Sequence, residues 1–253
     1  MLVAIDVGNT ELHFGIFVGD RLKATWRLSS APRRTADEYL LLMEAALKRA
    51  GFEPDGTTEA IVATVAPQKL PAVLTACAQL FRAEPLVVGP GVKTRLKIRF
   101  DPPTELGGDR VANAVAAHQL HGPGPVIVVD FGTATAFDIV SGGEYLGGAL
   151  TPGLQISAEA LASRTSRIPR VDLTAPASAI GRNTSHALQA GLVLGHVSLL
   201  EGMIQRIRQE IGPAPTVATG DDSSFFARLT NAIDVVDPHL TLHGLRMIHS
   251  FNG

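Results

Sequence analysis

Two stretches of the sequence place an aspartate at the end of an apolar run and follow it with a glycine-containing turn. They read A-I-D-V-G-N-T at residues 4–10 and V-V-D-F-G-T-A-T at residues 128–135. Aspartate is a poor strand residue, so its position at a strand end needs a reason. Glycine lets the backbone approach a phosphate, and turn amides and threonine hydroxyls can donate to phosphate oxygens. The pattern indicates nucleotide binding, with Asp6 and Asp130 near the accompanying cation, whereas one copy alone is more typical of an ordinary turn.

A third aspartate, Asp109, follows two glycines in G-G-D-R at residues 107–110. The sequence predicts a helix from about Asp109 to Leu120, and the start of a helix favours the ionised form of a carboxylate. Such a carboxylate can orient and finally deprotonate a hydroxyl that attacks a phosphoryl group. Arg110 beside it could pair with a carboxylate of the substrate. The alternative is that Asp109 is an ordinary helix cap.

The spacing of the first two aspartates indicates an internal repeat. Asp130 follows Asp6 by 124 residues (130 − 6), which is close to half the chain. At this offset further residues match: Gly8 with Gly132, Gly19 with Gly143, and Leu22 with Leu146. A repeat of this length means two similar domains rather than a solenoid. We therefore expect an α/β fold of two duplicated βββαβα domains, residues 1–118 and 119–253, with a cleft between them.

The local pattern predicts the elements that position these residues. Apolar or alternating runs predict strands at residues 2–5, 13–17, 22–28, 60–65 and 85–88, and again at 126–130, 136–140 and 144–150. Thr35 and Glu38 form a capping-box pattern for a helix that ends near Ala50. A second helix is predicted over Leu70–Phe81.

Composition limits the classes of function. The chain has 253 residues, 45% of them hydrophobic, and its net charge of -2 without a basic stripe argues against nucleic acid as a partner. Cys77 is the single cysteine, predicted to be buried in a helix in a reducing compartment. A basic leader is missing and no apolar run approaches ~18 residues. We expect a cytoplasmic protein without membrane contact.

Several longer motifs resemble those of the type III pantothenate kinases, within the acetate and sugar kinase/Hsp70/actin superfamily. They are D-V-G-N-T at 6–10, R-R-T-A-D-E-Y at 33–39, V-V-G-P-G-V-K-T at 87–94, G-G-D-R-V-A-N-A-V-A-A at 107–117, V-V-D-F-G-T-A-T at 128–135, Y-L-G-G-A at 145–149 and I-G-R-N-T at 180–184. The likeness runs nearly end to end. It implies the actin-like ATPase/ribonuclease H-like fold and ATP-dependent phosphorylation of pantothenate, the first step towards coenzyme A.

The resemblance also implies roles for particular residues. Asp109 would accept the proton of the substrate hydroxyl, and Asp130 would bind a monovalent cation, K⁺ or NH₄⁺, needed beside Mg²⁺. Nucleotide contacts would come from Asp6, Val7, Gly8, Asn9, Thr10, Glu11, Leu12, His13 and Thr133. The pantothenate pocket would be lined by Phe100, Gly107, Gly108, Asp109, Arg110 and Thr184. Members of this family work as homodimers.

Three departures from the family pattern leave a second hypothesis open. Phe100 stands where tyrosine is usual, Glu11 and His13 alter the end of the first turn, and T-G-D at 219–221 replaces T-G-G. Glu11 would repel phosphate if it faced inward, and the side chain of Asp221 would restrict approach to the nucleotide. The alternative is therefore a non-catalytic nucleotide-binding homologue with a regulatory or accessory role. Retention of Asp6, Asp109 and Asp130 favours the enzyme.

Overall fold

The fold consists of two α/β units. The computed structural model describes residues 1–30, 33–55, 57–164 and 168–253. The first unit, defined by the contacts within it, comprises Met1–Leu120 and Leu240–Gly253. The second unit is His121–His239. Each unit contains a mixed sheet with helices packed on it. The prediction of an α/β fold built from two similar halves is confirmed.

The sheet of the first unit is built around its earliest strand. Its strands are β1 (Leu2–Val7), β2 (Glu11–Val18), β3 (Arg21–Ser29), β4 (Glu59–Thr64) and β5 (Leu86–Val87). They lie in the order β3-β2-β1-β4-β5, with β1 antiparallel to β2 and parallel to β4. The central position of β1 explains why residues 2–5 are all buried. Asp6 lies near the end of this central strand.

Three helices accompany this sheet: α1 (Ala36–Arg49), α2 (Leu70–Phe81) and α3 (Gly108–His121). The predicted capping box starts α1, because the amide of Glu38 donates to Thr35 Oγ1 and the amide of Thr35 donates to Glu38 Oε2. Cys77 on α2 is fully buried as predicted, and burial raises the pKa of its thiol to about 12. The short strand β6 (Lys97–Ile98) precedes α3.

The second unit repeats the strand order of the first. Its strands are β7 (Val126–Phe131), β8 (Ala134–Ser141), β9 (Glu144–Pro152), β10 (Thr216–Gly220) and β11 (Val235–Val236). In the order β11-β10-β7-β8-β9, the strand β7 takes the central place that β1 has in the first unit. It is antiparallel to β8 and parallel to β10. Asp130 therefore lies near the end of a central strand, as Asp6 does.

The offset of 124 residues holds for the aspartates but not for the whole hairpin. In the first unit Val7 pairs with Leu12, whereas in the second Phe131 pairs with Thr135, so the second turn is one residue shorter. The next turn then corresponds at an offset of 123. Gly19 matches Gly142, and both have φ of +58°. The predicted matches of Gly19 with Gly143 and of Leu22 with Leu146 are wrong by one residue for this reason.

A long helical stretch crosses the second unit after α4 (Leu154–Arg164). It consists of α5 (Thr184–Gln189), a π-helical turn at Ala190–Leu194, and α6 (Gly195–Ile211). Among the described residues only the 28-residue stretch Thr184–Ile211, whose most apolar 18-residue window has a mean hydropathy of 1.4, is long and apolar enough to cross a membrane by length and composition. Its buried side chains, including Val193, Leu200 and Ile204, belong to the core of this unit. Core helices commonly have this composition, so the stretch is weak evidence for a membrane span.

The last helix returns to the first unit. The short α7 (Ser223–Phe226) follows β10, and α8 (Leu240–Ser250) then packs on β1, β4 and β2. A Cβ atom on Gly244 would lie 1.9 Å from the Ala112 carbonyl oxygen, so α8 crosses α3 at a point that only glycine allows. Thr241 Oγ1 donates to Asn113 Oδ1 at 2.8 Å in the same crossing. The boundary at residues 118 and 119 stays a prediction, but α8 is grouped with the first unit.

Candidate active site

The turn between β1 and β2 holds the first set of candidate residues. The amide of Gly8 donates to the Glu11 carbonyl at 2.9 Å, and a Cβ atom on Gly8 would lie only 2.9 Å from that oxygen. Glycine is therefore required for the tight turn itself. Asn9 and Thr10 at the tip are exposed, whereas Asp6 at the strand end is half-buried. An exposed tip with backbone amides is suited to bind an anion such as a phosphate.

The carbonyl side of this turn is held by two residues that the sequence analysis did not single out. Lys69 Nζ donates to the carbonyl oxygen of Gly8 at 3.2 Å and to that of Asn9. The amide of Ser30 donates to the Thr10 carbonyl at 2.8 Å. The signal for Lys69 in the sequence is a lone lysine directly before the apolar helix α2, whose positive N-terminal end disfavours a cation.

Glu11 forms an ion pair on the hairpin. Arg27 on β3 contacts it, with Nη1 3.3 Å from Glu11 Oε2. Both side chains are more than one-third exposed, so solvent weakens the pair, but the arginine still offsets the carboxylate charge. His13 pairs across the sheet with Arg27 and Asp6 in the strand register. The expected repulsion between Glu11 and a phosphate is reduced by this neighbouring cation.

Asp109 lies in the first turn of α3, as predicted. Its Oδ1 accepts a hydrogen bond from the amide of Arg110 at 2.7 Å. A Cβ atom on Gly107 would lie 2.5 Å from this Oδ1 and 2.8 Å from a methyl group of Val65, and one on Gly108 would lie 3.2 Å from Ala63. The two glycines thus allow the start of α3 to sit against the end of β4. The carboxylate partly caps its own helix, which is compatible with a catalytic role.

Arg110 and Phe100 form a second pair in the first unit. Arg110 is buried to 9% exposure, and its guanidinium carbon lies 5.7 Å from the centre of the Phe100 ring. Arginine above an aromatic face at this distance gains cation–π attraction. The ring of Phe100 is available for this contact without the hydroxyl that tyrosine would add.

In the second unit, Asp130 is surrounded by closely packed backbone. The amide of Gly132 donates to the Ala134 carbonyl at 3.0 Å, and the amide of Gly153 donates to the Thr133 carbonyl at 3.0 Å. Gly220 has φ of +86°, and a Cβ atom there would lie 2.7 Å from Asp130 Oδ1. Glycine at position 220 therefore leaves the space beside the carboxylate.

Asp221, the residue that replaces the second glycine of T-G-G, changes the exposed surface but not the backbone contact of the turn. Its amide donates to the Phe131 carbonyl at 3.1 Å, and its side chain is exposed. Burial, and then the charge of Asp221, raise the pKa of the neighbouring Asp222 carboxyl. The contact that fixes this backbone is an amide contact, which any residue at position 221 except proline can make.

Thr184 begins α5 and is exposed. The preceding Asn183 caps this helix, since its Oδ1 accepts from the amide of His186 at 2.9 Å. A Cβ atom on Gly181 would lie 2.2 Å from the amide nitrogen of Ala187. Gly181 and Asn183 therefore serve the local structure, which leaves Thr184 as the candidate for a ligand contact.

Asp6 and Asp130 are suited to a cation site in which the substrate supplies most of the ligands. Within the described ranges no group of three or more His, Cys, Asp or Glu side chains is placed to hold a metal ion. Mg²⁺ commonly keeps several waters and binds one or two carboxylates together with substrate phosphates. Half-buried single aspartates at strand ends beside glycine turns, Asp6 and Asp130, fit this manner of binding.

The fold is that of the actin-like ATPases and related sugar kinases. The chain is similar to the ROK hexokinase of Thermus thermophilus, with a TM-score of 0.52 at 14% identity over 98% of this chain and 97% of that one. It is also similar to a putative Baf family transcriptional activator from Campylobacter jejuni, with a TM-score of 0.61 at 20% identity over 99% and 98% of the two chains. At these identities the likeness shows the fold alone.

Sequence comparison then defines the family. The family model described as type III pantothenate kinase matches residues 2–206. The type III pantothenate kinase of Myxococcus xanthus is 46% identical over 100% of this chain and 99% of its own length, and that of Moorella thermoacetica is 45% identical over 100% of both. The chain belongs to the type III pantothenate kinase family.

Proposed function

We propose that this chain transfers the terminal phosphoryl group of ATP to the hydroxyl of pantothenate, which gives 4'-phosphopantothenate for coenzyme A synthesis. The observation that carries the proposal is full-length identity of 45–46% to type III pantothenate kinases together with Asp109 at the start of α3. No finding favours the alternative of a non-catalytic homologue.

In the proposed reaction the residues at the start of α3 bind and activate the acceptor. Asp109 orients the pantothenate hydroxyl and accepts its proton as the oxygen bonds to the terminal phosphorus. The bond from that phosphorus to the bridging oxygen breaks, and ADP leaves. Arg110 binds the carboxylate of pantothenate, because a guanidinium matches a carboxylate with two donors. Gly107 and Gly108 keep side chains away from the acceptor, and Phe100 and Thr184 complete the contacts to it.

Nucleotide contacts are proposed for the residues 6–13 in the first unit and for Thr133 in the second. The turn amides at Gly8, Asn9 and Thr10 would donate to phosphate oxygens. Asp6 would hold, directly or through water, the Mg²⁺ that accompanies the nucleotide, and that ion would offset negative charge on the phosphates. Asp130 would hold a monovalent cation. We also propose a cytoplasmic homodimer.

A coupled assay of ADP formation in potassium buffer tests the function. ATP consumption should depend on pantothenate, and mass spectrometry should detect 4'-phosphopantothenate as the product. The matched control is pantothenol, in which an alcohol replaces the carboxylate, and which should bind less well if Arg110 contacts that group. ADP formation that is independent of pantothenate, or a phosphorylated product other than 4'-phosphopantothenate, would contradict the proposal.

A further inference from the structure

Lys69 is a buried cation in a place where local structure does not favour one. The residue is 8% exposed and is the N-cap of α2, a helix without an acidic residue in its first turn. A cation at the positive N-terminal end of a helix destabilises the fold, and burial of an ammonium group removes its hydration. Burial accordingly lowers the pKa of Lys69. The position therefore has to be stabilised by the contacts that the ammonium group makes.

Those contacts go to the turn between β1 and β2. The ammonium group donates to two consecutive carbonyl oxygens, of Gly8 at 3.2 Å and of Asn9. The neighbouring carbonyls are also occupied: Thr64 Oγ1 donates to Val7 at 3.2 Å, and the amide of Ser30 donates to Thr10. The carbonyl side of the whole turn is thus bound to the protein.

Because the peptide bond is planar, the direction of each carbonyl in this turn also fixes the direction of the adjoining amide. In a trans peptide the C=O of one residue and the N–H of the next point in opposite directions. Since the carbonyls of Gly8 and Asn9 point at Lys69 Nζ, the amides of Asn9 and Thr10 point away from it. These two amides face the side opposite to the lysine, at the exposed tip of the turn.

We propose that Lys69 is a positioning residue for the nucleotide, which orients the amides of Asn9 and Thr10 towards the phosphate oxygens by holding the carbonyls of Gly8 and Asn9 from behind. The proposal rests on the proposed function, because it takes this turn as the phosphate-binding turn. The positive charge is also aligned with the two peptide dipoles, so it increases the attraction of their amide ends for an anion. Lys69 itself does not contact the substrate.

The test compares Lys69→Met with the wild type. Methionine keeps the apolar stem and removes the charge and the donors. The affinity for the Mg²⁺ complex of a non-hydrolysable ATP analogue is measured by titration calorimetry without pantothenate, and kcat and both KM values are measured in the coupled assay. The control is Lys48→Met, which removes an exposed lysine from α1.

Lys69→Met should weaken nucleotide binding and raise the KM for ATP by about tenfold or more, as expected for the loss of hydrogen bonds from a charged group. The KM for pantothenate should stay within about twofold, since the acceptor contacts lie on other residues. Lys69→Gln, shorter and uncharged, should behave like Lys69→Met. Lys48→Met should match the wild type.

Several results would overturn the proposal. One is a folded Lys69→Met protein with nucleotide affinity within about twofold of the wild type. Another is an equal rise of both KM values. If neither Lys69 variant folded, Lys69 would be a residue that stabilises the first unit rather than one that orients the amides. These results differ from failure of the proposed function, in which the wild type itself would not phosphorylate pantothenate.

Discussion

The guanidinium carbon of Arg110 lies 5.7 Å from the centre of the Phe100 ring, so the two candidate substrate residues contact each other. Phe100 thereby limits where the Arg110 guanidinium can lie, and it does so with the face of its ring. This contact gives Phe100 a role that needs the aromatic ring but no hydroxyl on it.

We expect Phe100→Tyr to leave the KM for pantothenate unchanged or to lower it, because the ring face is kept and the new hydroxyl can add a hydrogen bond. Phe100→Leu should raise this KM by about two- to thirtyfold, the range that corresponds to a cation–π contact of ~0.5–2 kcal/mol. Steady-state kinetics with varied pantothenate measures both. A large rise in KM for Phe100→Tyr would contradict the substrate role of this position.

The second prediction concerns the monovalent cation that we propose for Asp130, a residue whose carboxylate lies beside Gly220. Activity should appear in potassium or ammonium buffer and fall sharply when sodium is the only monovalent cation. Asp130→Asn should lose most of the stimulation by potassium, since an amide attracts a cation less strongly than a carboxylate. Initial rates at constant ionic strength in the three salts measure the effect. Equal rates in all three would remove this role from Asp130.

Local sequence patterns were sufficient to predict many of the helices and strands. The capping box at Thr35 and Glu38, and the strands that end one residue after Asp6 and Asp130, depend on residues close together in the chain. Hydrophobic periodicity and capping chemistry act over a few residues, so these features could be predicted. The start of α3 at Asp109 belongs to the same class.

Other features depend on contacts that no local pattern encodes. Lys69 reaches the turn at Gly8 across 61 residues of chain, and Thr241 reaches Asn113 across 128 residues. The turn after Phe131 is shorter by one residue, which only the strand register reveals. For such features, the path of the backbone decides which groups meet. The sequence therefore predicted where Asp6, Asp109 and Asp130 lie in the strands and helix, but not the contact of Lys69 with the first turn.

The third prediction concerns pH and stability in the second unit. His196 on α6 is buried against Phe226, with Nε2 3.0 Å from Thr135 Oγ1, and burial lowers its pKa below the ordinary 6.5. Below about pH 6.5, His196 binds a proton in the unfolded chain but not in the folded chain. The free energy of unfolding should therefore fall as the pH falls from about 6.5 towards the folded pKa. One proton contributes a slope of at most ~1.36 kcal/mol per pH unit.

Urea unfolding of the wild type and of His196→Gln, at about pH 7.5 and about pH 5.5, measures this contribution. The glutamine variant is expected to be less stable at the higher pH but to lose less stability on acidification. The control is His186→Gln, which removes an exposed histidine from α5. Parallel loss of stability in the wild type and in His196→Gln would assign the acid sensitivity to other groups.

The last prediction concerns Asp109. Asp109→Asn keeps the size of the side chain and an oxygen that can accept the Arg110 amide, and asparagine caps a helix about as well as aspartate. The thermal unfolding midpoint should therefore change little. Loss of the charge that accepts the hydroxyl proton should lower kcat by ~10²- to 10⁴-fold, the usual contribution of a general base, while the KM for ATP stays near that of the wild type.

Two other variants make this result specific. Asp37→Asn, on the exposed first turn of α1, removes a carboxylate elsewhere on a helix start and should leave kcat unchanged. Asp6→Asn should instead weaken the use of Mg²⁺-ATP as a whole, because Asp6 lies beside the turn that we propose to bind the phosphates. An Asp109→Asn enzyme that retained more than about half of the wild-type kcat, far from the ~10²-fold loss expected, would reduce Asp109 to a helix cap. A different residue would then have to accept the proton.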